Sequence, residues 1–241
     1  MYLQIILNMK VVPYESRLSA GKILVKSLEN TNKEIKENVN ANPSNFFVFA
    51  IPNGGVPVAE GFCTATTLSY ELLIVRKIKI PYNPEAGFGS ITTDGTILLN
   101  ERLLSQLHLS REQIEYSIEV TKNEIQDRLK FYGKDSLEQD FYSKKIQDKT
   151  IFLIDDGLAS GYTMLAAVKM IKSYKPIKVI IAVPTAPLRT IEILNDKVDT
   201  IICPNIRNTA WFAVADAYKN WYDVSELEVK EIIQKSHYYQ K

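Results

Sequence analysis

The clearest chemistry in this chain is a pair of adjacent acids at the end of an apolar run. Ile151 to Ile154 is uninterruptedly apolar, as in a parallel strand covered on both faces, and it stops at Asp155 and Asp156. In open α/β sheets ligands bind outside the carboxyl ends of strands, so two acids there can accept hydrogen bonds from vicinal hydroxyls such as those of a ribose. The residues that follow suit an anion. Ala159, Ser160 and Gly161 allow close backbone approach, Ser160 and Thr163 add hydroxyl donors, and a helix expected from about Thr163 aims its first N–H groups at the same spot, Tyr162 included in the loop. Acids for a sugar beside a nest for phosphate describe a sugar-phosphate pocket. A plain turn needs one such acid, not two.

Other residues could share that chemistry. Asn53, Gly54 and Gly55 lie between an apolar run and a helical one, where glycines can present backbone N–H groups to an anion. Arg76 and Lys77 follow a second apolar run, Tyr70 to Val75, and could stabilise negative charge developing on a ligand. The Pro- and Gly-rich stretch beyond them reads as a mobile excursion whose Lys79, Tyr82, Asn83 and Glu85 could close over a reaction. Trp211 and Phe212 could stack on an aromatic acceptor, while Tyr218, Trp221 and Tyr222 read as packing residues. Neither G-x-x-x-x-G-K-[ST] nor G-x-G-x-x-G occurs, which removes the usual support for triphosphate and dinucleotide folds.

Positioning these residues requires a sheet. Phe46 to Ile51, Tyr70 to Val75, Ile151 to Ile154, Val179 to Val183 and Thr200 to Ile202 read as strands. Leu18 to Leu28, Val56 to Thr66, Ser110 to Tyr132, Met164 to Lys172 and Leu188 to Leu194 read as helices. Glu29 to Asn45 reads as a helix end and solvated loop, and residues 134 to 149 as a charged linker. The alternation predicts an α/β fold with a doubly wound, mostly parallel sheet. We expect one domain over residues 1–241, with a small hood from about 78–135 and a contribution from 204–241. Met9 offers a second start, so residues 1–8 are treated as an extension.

Composition limits the partners. With 241 residues, 46% of them hydrophobic, the chain can bury a full core. A formal net charge of +1 supplies no general attraction to nucleic acid or anionic membranes, and two cysteines and two histidines, all scattered, form no disulfide framework or metal cluster. No run reaches the roughly 20 apolar residues of a membrane span. A cytoplasmic location is expected.

The run Ile151–Thr163 (IFLIDDGLASGYT) resembles the 5-phosphoribosyl-1-pyrophosphate (PRPP) signature of the type I phosphoribosyltransferases. A subgroup of predicted bacterial and archaeal members is similar through Arg17–Gly21 (RLSAG), Ile51–Ala59 (IPNGGVPVA), Val75–Lys77 (VRK), Asn83–Glu85 (NPE), Ala182–Pro187 (AVPTAP) and Trp211–Val214 (WFAV). The resemblance implies transfer of 5-phosphoribosyl from PRPP to a nitrogenous acceptor, a nucleobase among the candidates, with release of pyrophosphate. Asp155 and Asp156 would hold the ribose hydroxyls, Ala159 to Thr163 the 5′-phosphate, and Asn53 to Gly55 with Arg76 and Lys77 the pyrophosphate. It also implies Mg²⁺ held through ligand and water, a homodimer, and often a strained peptide in the pyrophosphate loop. Asn53 stands where the family frequently has a basic residue. Ala159 replaces the aspartate of 6-oxopurine members, which disfavours their proton handling. Two rivals remain: a PRPP- or nucleotide-sensing regulator without acceptor chemistry, and a phosphohydrolase using Asp155 and Asp156 as metal ligands.

Overall fold

The structure is a computed structural model that describes residues 12–134, 140–209 and 211–240; the proposed start at Met9 and part of the linker from 134 to 149 lie outside them. In chain order come helices α1 (Arg17–Thr31) and α2 (Lys33–Ala41), strand β1 (Phe46–Ala50), helix α3 (Gly55–Thr66) and strands β2 (Tyr70–Leu72), β3 (Val75–Ile80), β4 (Asn83–Thr92) and β5 (Ile97–Leu99). Helices α4 (Glu101–Leu107), α5 (Arg111–Phe131) and α6 (Phe141–Ile146) lead to β6 (Thr150–Ile154) and α7 (Tyr162–Ser173). Strand β7 (Lys178–Ala182), β8 (Thr185–Pro187), α8 (Leu188–Asn195), β9 (Thr200–Ile202), β10 (Asn205–Arg207) and α9 (Glu226–Lys235) complete the order.

Five strands form a wholly parallel sheet in the order β2-β1-β6-β7-β9. Alternate side chains of its strands enter two separate cores. Phe46, Val48, Ala50, Phe152 and Ile154 join residues of α1, α2, α3 and α9 on one face. Phe47, Phe49, Ile151 and Leu153 join residues of α6, α7 and α8 on the other. Burial on both faces is why these strands read as continuous apolar runs. From β1 the chain proceeds outward to β2, whereas from β6 it proceeds the other way to β7 and β9. The switch in direction therefore falls between β1 and β6, where such sheets open a crevice.

Helix α1 is brought to that crevice by an intimate crossing with α3. A Cβ on Gly21 would stand 2.0 Å from Val58 O, and one on Gly61 would stand 2.0 Å from Leu18 O, so the two backbones touch through glycine. A reciprocal capping box between Ser16 and Ser19 starts α1 immediately before Arg17.

Beside the main sheet, β3, β4 and β5 form an antiparallel sheet, and β8 pairs with β10 in a short parallel one. With α4 and α5, these antiparallel strands account for the described residues of the segment expected to form the hood. At the outer edge of the main sheet, Tyr70 N donates to Tyr238 O (2.9 Å) and Gln240 N donates to Tyr70 O (3.0 Å). The C-terminal residues thus pair with β2.

Four expectations need correction. Tyr70 to Val75 is not one strand: β2 ends at Leu72, and Val75 begins a strand of the other sheet, anchored by Thr93 Oγ1, which accepts from Ile74 N at 2.7 Å. Ile78 to Gly95 is not a loose excursion but chiefly the β3–β4 hairpin, where buried Ile78 and Ile80 alternate with exposed Lys77 and Lys79. Glu29 to Asn45 contains α2, because Ile35 and Val39 stand one turn apart and bury themselves while Asn32 Oδ1 caps the helix by accepting from Ile35 N (3.2 Å). The linker before β6 includes α6, which buries Tyr142 and Ile146.

Candidate functional site

Register places the two candidate loops side by side. Ala50 is level with Ile154 across the β1–β6 pair, so the loop at residues 51–54 and the acids at 155–156 leave the sheet at the same height. The contact is close: a Cβ on Gly54 would stand 1.9 Å from Asp156 Oδ2, and one on Gly55 would stand 2.8 Å from Ile154 O and 3.3 Å from Asp155 Oδ1. Only residues without a side chain fit here. The Pro52–Asn53 peptide in this loop is cis.

The acids have different partners. Asp155 Oδ1 accepts from the backbone N–H of Asp156 at 2.8 Å. Asp156 Oδ2 accepts from Arg17 Nε at 2.8 Å, and Tyr218 OH donates to the Asp156 carbonyl at 2.7 Å. Burial raises the Asp155 carboxyl well above the ordinary carboxylate range, and the neighbouring Asp156 charge raises it further. Burial also raises Asp156, but the Arg17 guanidinium opposes that rise and favours its ionised form. The Asp156 side chain keeps 15% exposure, so water tempers the effect. The Arg17 pairing makes Asp156 the more readily ionised of the two acids.

Arg17 is itself enclosed. Its guanidinium carbon lies 4.2 Å from the Trp221 ring centre, 5.4 Å from that of Tyr222 and 5.5 Å from that of Tyr218, within cation–π range of all three. Tyr14 pairs with Tyr218 in an isolated bridge, and their rings meet at 5.6 Å, which ties the returning tail to the segment before α1.

The anion-type loop stands at the start of α7. Gly161 caps that helix at φ +81°, in the left-handed region, without a side-chain cap hydrogen bond. Ala159, Ser160 and Tyr162 are exposed, Thr163 is half-buried, and Thr190 Oγ1 braces the loop by donating to Ala159 O at 2.6 Å. The first turn of α7 therefore offers N–H groups that are unpaired among the described residues.

Asn53 has a different setting from the one its position suggested. Its Nδ2 donates to Val224 O (2.7 Å) and its Oδ1 accepts from Arg128 Nη1 (2.9 Å), while Arg128 also pairs with Glu226. Its side chain thus links the loop to α5 and the tail, while the Gly55 N–H closes the loop by donating to Ile51 O at 3.1 Å.

The remaining nominees are dispersed. Arg76 and Lys77 lie inside β3 rather than at the end of a sheet strand; Lys77 Nζ donates to the Glu85 carbonyl, and Arg76 Nε is buried with no hydrogen-bond partner among the described residues. Trp211 is 91% exposed and is not brought against the acids, whereas Trp221 stands over the arginine that pairs with one of them. Arg17, Tyr218, Trp221, Tyr222 and Arg128 were not nominated as site residues. One signal was available for Arg17: a cation at a helix N-terminus opposes the helix dipole, so its position there needs a partner elsewhere.

A parallel α/β sheet with acids, glycines and an open helix start at its switch point defines a nucleotide- or sugar-phosphate-type α/β domain. Residues 16–221 match the phosphoribosyl transferase domain model, and the chain belongs to that family. It is 28% identical over 192 residues to proteins from two Mycobacterium tuberculosis strains, CDC 1551 / Oshkosh and ATCC 25618 / H37Rv, provisionally named phosphoribosyl transferases MT0597 and Rv0571c. The match covers 79% of this chain and 42% of each relative, so the chain spans less than half the length of the curated relatives it matches. In fold it is similar to the crystal structure of TT1426 from Thermus thermophilus, with a TM-score of 0.69 at 22% identity, over 92% of this chain and 97% of that one. No helix among the described residues is long and apolar enough to cross a membrane.

Proposed function

We propose that this domain transfers a 5-phosphoribosyl group from PRPP to a nitrogenous acceptor and releases pyrophosphate. The observation that carries the reading is the contact of Gly54 and Gly55 with Asp155 and Asp156 at the β1–β6 switch point. In this reading Asp155 and Asp156 hold the ribose hydroxyls through their carboxyl oxygens. The backbone from Ala159 to Thr163 takes the 5′-phosphate, and the loop backbone at Gly54 takes the pyrophosphate, the Gly55 N–H being held by Ile51 O at 3.1 Å. The C1–O bond breaks with its electron pair leaving on pyrophosphate, the acceptor nitrogen bonds to C1, and the acceptor gives up a proton. Arg76 and Lys77 would supply positive charge to the leaving group once the hairpin releases Lys77 from Glu85.

Among the described residues no group of three or more His, Cys, Asp or Glu side chains could form a metal cage. A Mg²⁺ ion fits this donor set when held through diphosphate and ribose oxygens and water, with Asp155 and Asp156 nearby, and it would neutralise charge on the leaving group. The family resemblance supports a homodimer, and the membership supports a cytoplasmic small-molecule enzyme.

The test is pyrophosphate release from PRPP with Mg²⁺ across a panel of nitrogenous acceptors, beside the Asp156→Asn variant. Turnover in the parent, lost in the variant, is expected. PRPP binding without turnover on any acceptor would instead make the domain a PRPP sensor. No PRPP binding at all would overturn both readings.

A further inference from the structure

Arg17 retains binding capacity that its protein contacts do not use. Its side chain is only 6% exposed, yet Nε alone is hydrogen-bonded among the described residues, to Asp156 Oδ2 at 2.8 Å. Neither Nη1 nor Nη2 donates to any described protein atom. These two nitrogens are not sealed from solvent, so both keep donor capacity that a ligand could take up.

The surroundings restrict what could complete the set. Trp221, Tyr218 and Tyr222 lie within cation–π reach of the guanidinium and occupy space around its faces, with Trp221 nearest at 4.2 Å. The donors left over are Nη1 and Nη2, a pair that matches two oxygens of a carboxylate or phosphate side by side. The location is equally specific. The Asp156 oxygen that receives Arg17 Nε is the one against which Gly54 is pressed, so the guanidinium lies beside the glycine loop and the acids. Arg17 carries positive charge into a crevice where Asn53 is neutral and its side chain is turned to Val224 and Arg128.

We propose that Arg17 is an oxyanion-binding residue of the crevice, gripping two oxygens through Nη1 and Nη2 while Nε stays on Asp156. The assignment deepens the proposed function and rests on it for the identity of the ligand. Two sources share this chemistry: the diphosphate of PRPP, and a carboxylate on an aromatic acceptor stacked near Trp221.

Calorimetric titration of the protein with inorganic pyrophosphate plus Mg²⁺, and separately with nicotinate, distinguishes the sources and needs no turnover. The variants are Arg17→Ala and Arg17→Lys. Lysine keeps the charge near Asp156 but lacks the planar fork, so it carries the test if alanine prevents folding. Weakening by about tenfold or more in Arg17→Lys is expected for the oxyanion that Arg17 binds. Loss confined to pyrophosphate assigns the diphosphate; loss confined to nicotinate assigns the acceptor. Unchanged affinity for both in a folded Arg17→Lys variant overturns the assignment while leaving the proposed function intact. A parent that binds PRPP but neither probe also overturns it, and a parent that binds none of the three overturns both proposals.

Discussion

Gly54 lies against Asp156 with no room for a methyl group between them: a Cβ at position 54 would stand 1.9 Å from Oδ2. The contact couples the loop after β1 to the acids after β6. Gly54→Ala must displace either the carboxylate or the loop. Because the position is half-buried at a loop, the fold should survive, with the overpacking cost of about 1–3 kcal/mol lowering the melting temperature by roughly 3–10 °C. PRPP affinity is expected to fall by about tenfold or more, because the displaced loop or carboxylate no longer matches the ligand. Calorimetry with PRPP and thermal unfolding of the same sample check both halves.

Asp155→Asn and Asp156→Asn should differ in stability although they differ by one position. Removing the Asp156 charge leaves the nearly buried Arg17 without its ion pair, at an expected cost of about 2–3 kcal/mol, toward the low end for a buried pair because Asp156 is partly exposed. Asp155 has no cationic hydrogen-bond partner, and an amide keeps its neutral form. Denaturant titration of both variants at neutral pH gives the comparison; equal losses would contradict the unequal pairing of the two acids.

The same pair predicts a pH dependence. Burial raises the Asp155 carboxyl above its unfolded value, so the folded state holds this proton more firmly than the unfolded chain. The resulting stability is present below the unfolded value, near pH 4, and is lost as pH rises through the folded value. Asp155→Asn removes that loss. Its melting temperature relative to the parent should therefore increase as pH rises above about 4. A difference that shrinks over that range would reverse the sign and refute the prediction.

Two tryptophans should respond differently to alanine. Trp221 covers the Arg17 guanidinium at 4.2 Å, and Trp221→Ala should cost about 1–2 kcal/mol and loosen the Arg17–Asp156 pair. Trp211 is 91% exposed, and Trp211→Ala should stay within about 0.5 kcal/mol. Urea unfolding checks the stabilities, and acceptor affinity then tests whether Trp211 has any part in stacking.

Lys134 reaches a second buried carboxylate, standing 2.8 Å from Glu71 Oε2 with 13% and 3% side-chain exposure, and it also donates to Gln240 O at 3.0 Å. Lys134→Met strands Glu71 and releases the C-terminal residues, for an expected loss of about 3 kcal/mol. Amide hydrogen exchange should show faster exchange at Tyr70 and Gln240, whose N–H groups pair across this edge.

The main sheet was legible because its strands are buried on both faces and carry unbroken apolar runs, as in Phe46–Ala50 and Thr150–Ile154. The adjacent acids after Ile154 were legible for the same reason: polar residues stand out after such a run. The β3–β4 hairpin was obscured by composition. Pro84, Gly87 and Gly89 suggest a loop, and the alternation of Ile78 and Ile80 with Lys77 and Lys79 is only a few residues long. Arg17 was hidden by distance, since its partner lies 139 positions away and becomes adjacent only through the glycine-to-glycine crossing of α1 and α3. Trp211 and Trp221 are both near the end of the chain, and residue type alone did not separate the exposed ring from the one that covers a cation.

The pairing of residues 238–240 with Tyr70 bears on self-association. An outer strand with free backbone donors and acceptors invites a second molecule to extend the sheet, and here the chain's own final residues already engage that rim. Removing residues 238–240 would expose this rim and favour intermolecular pairing of strands, lowering solubility while leaving the acids and glycines in place.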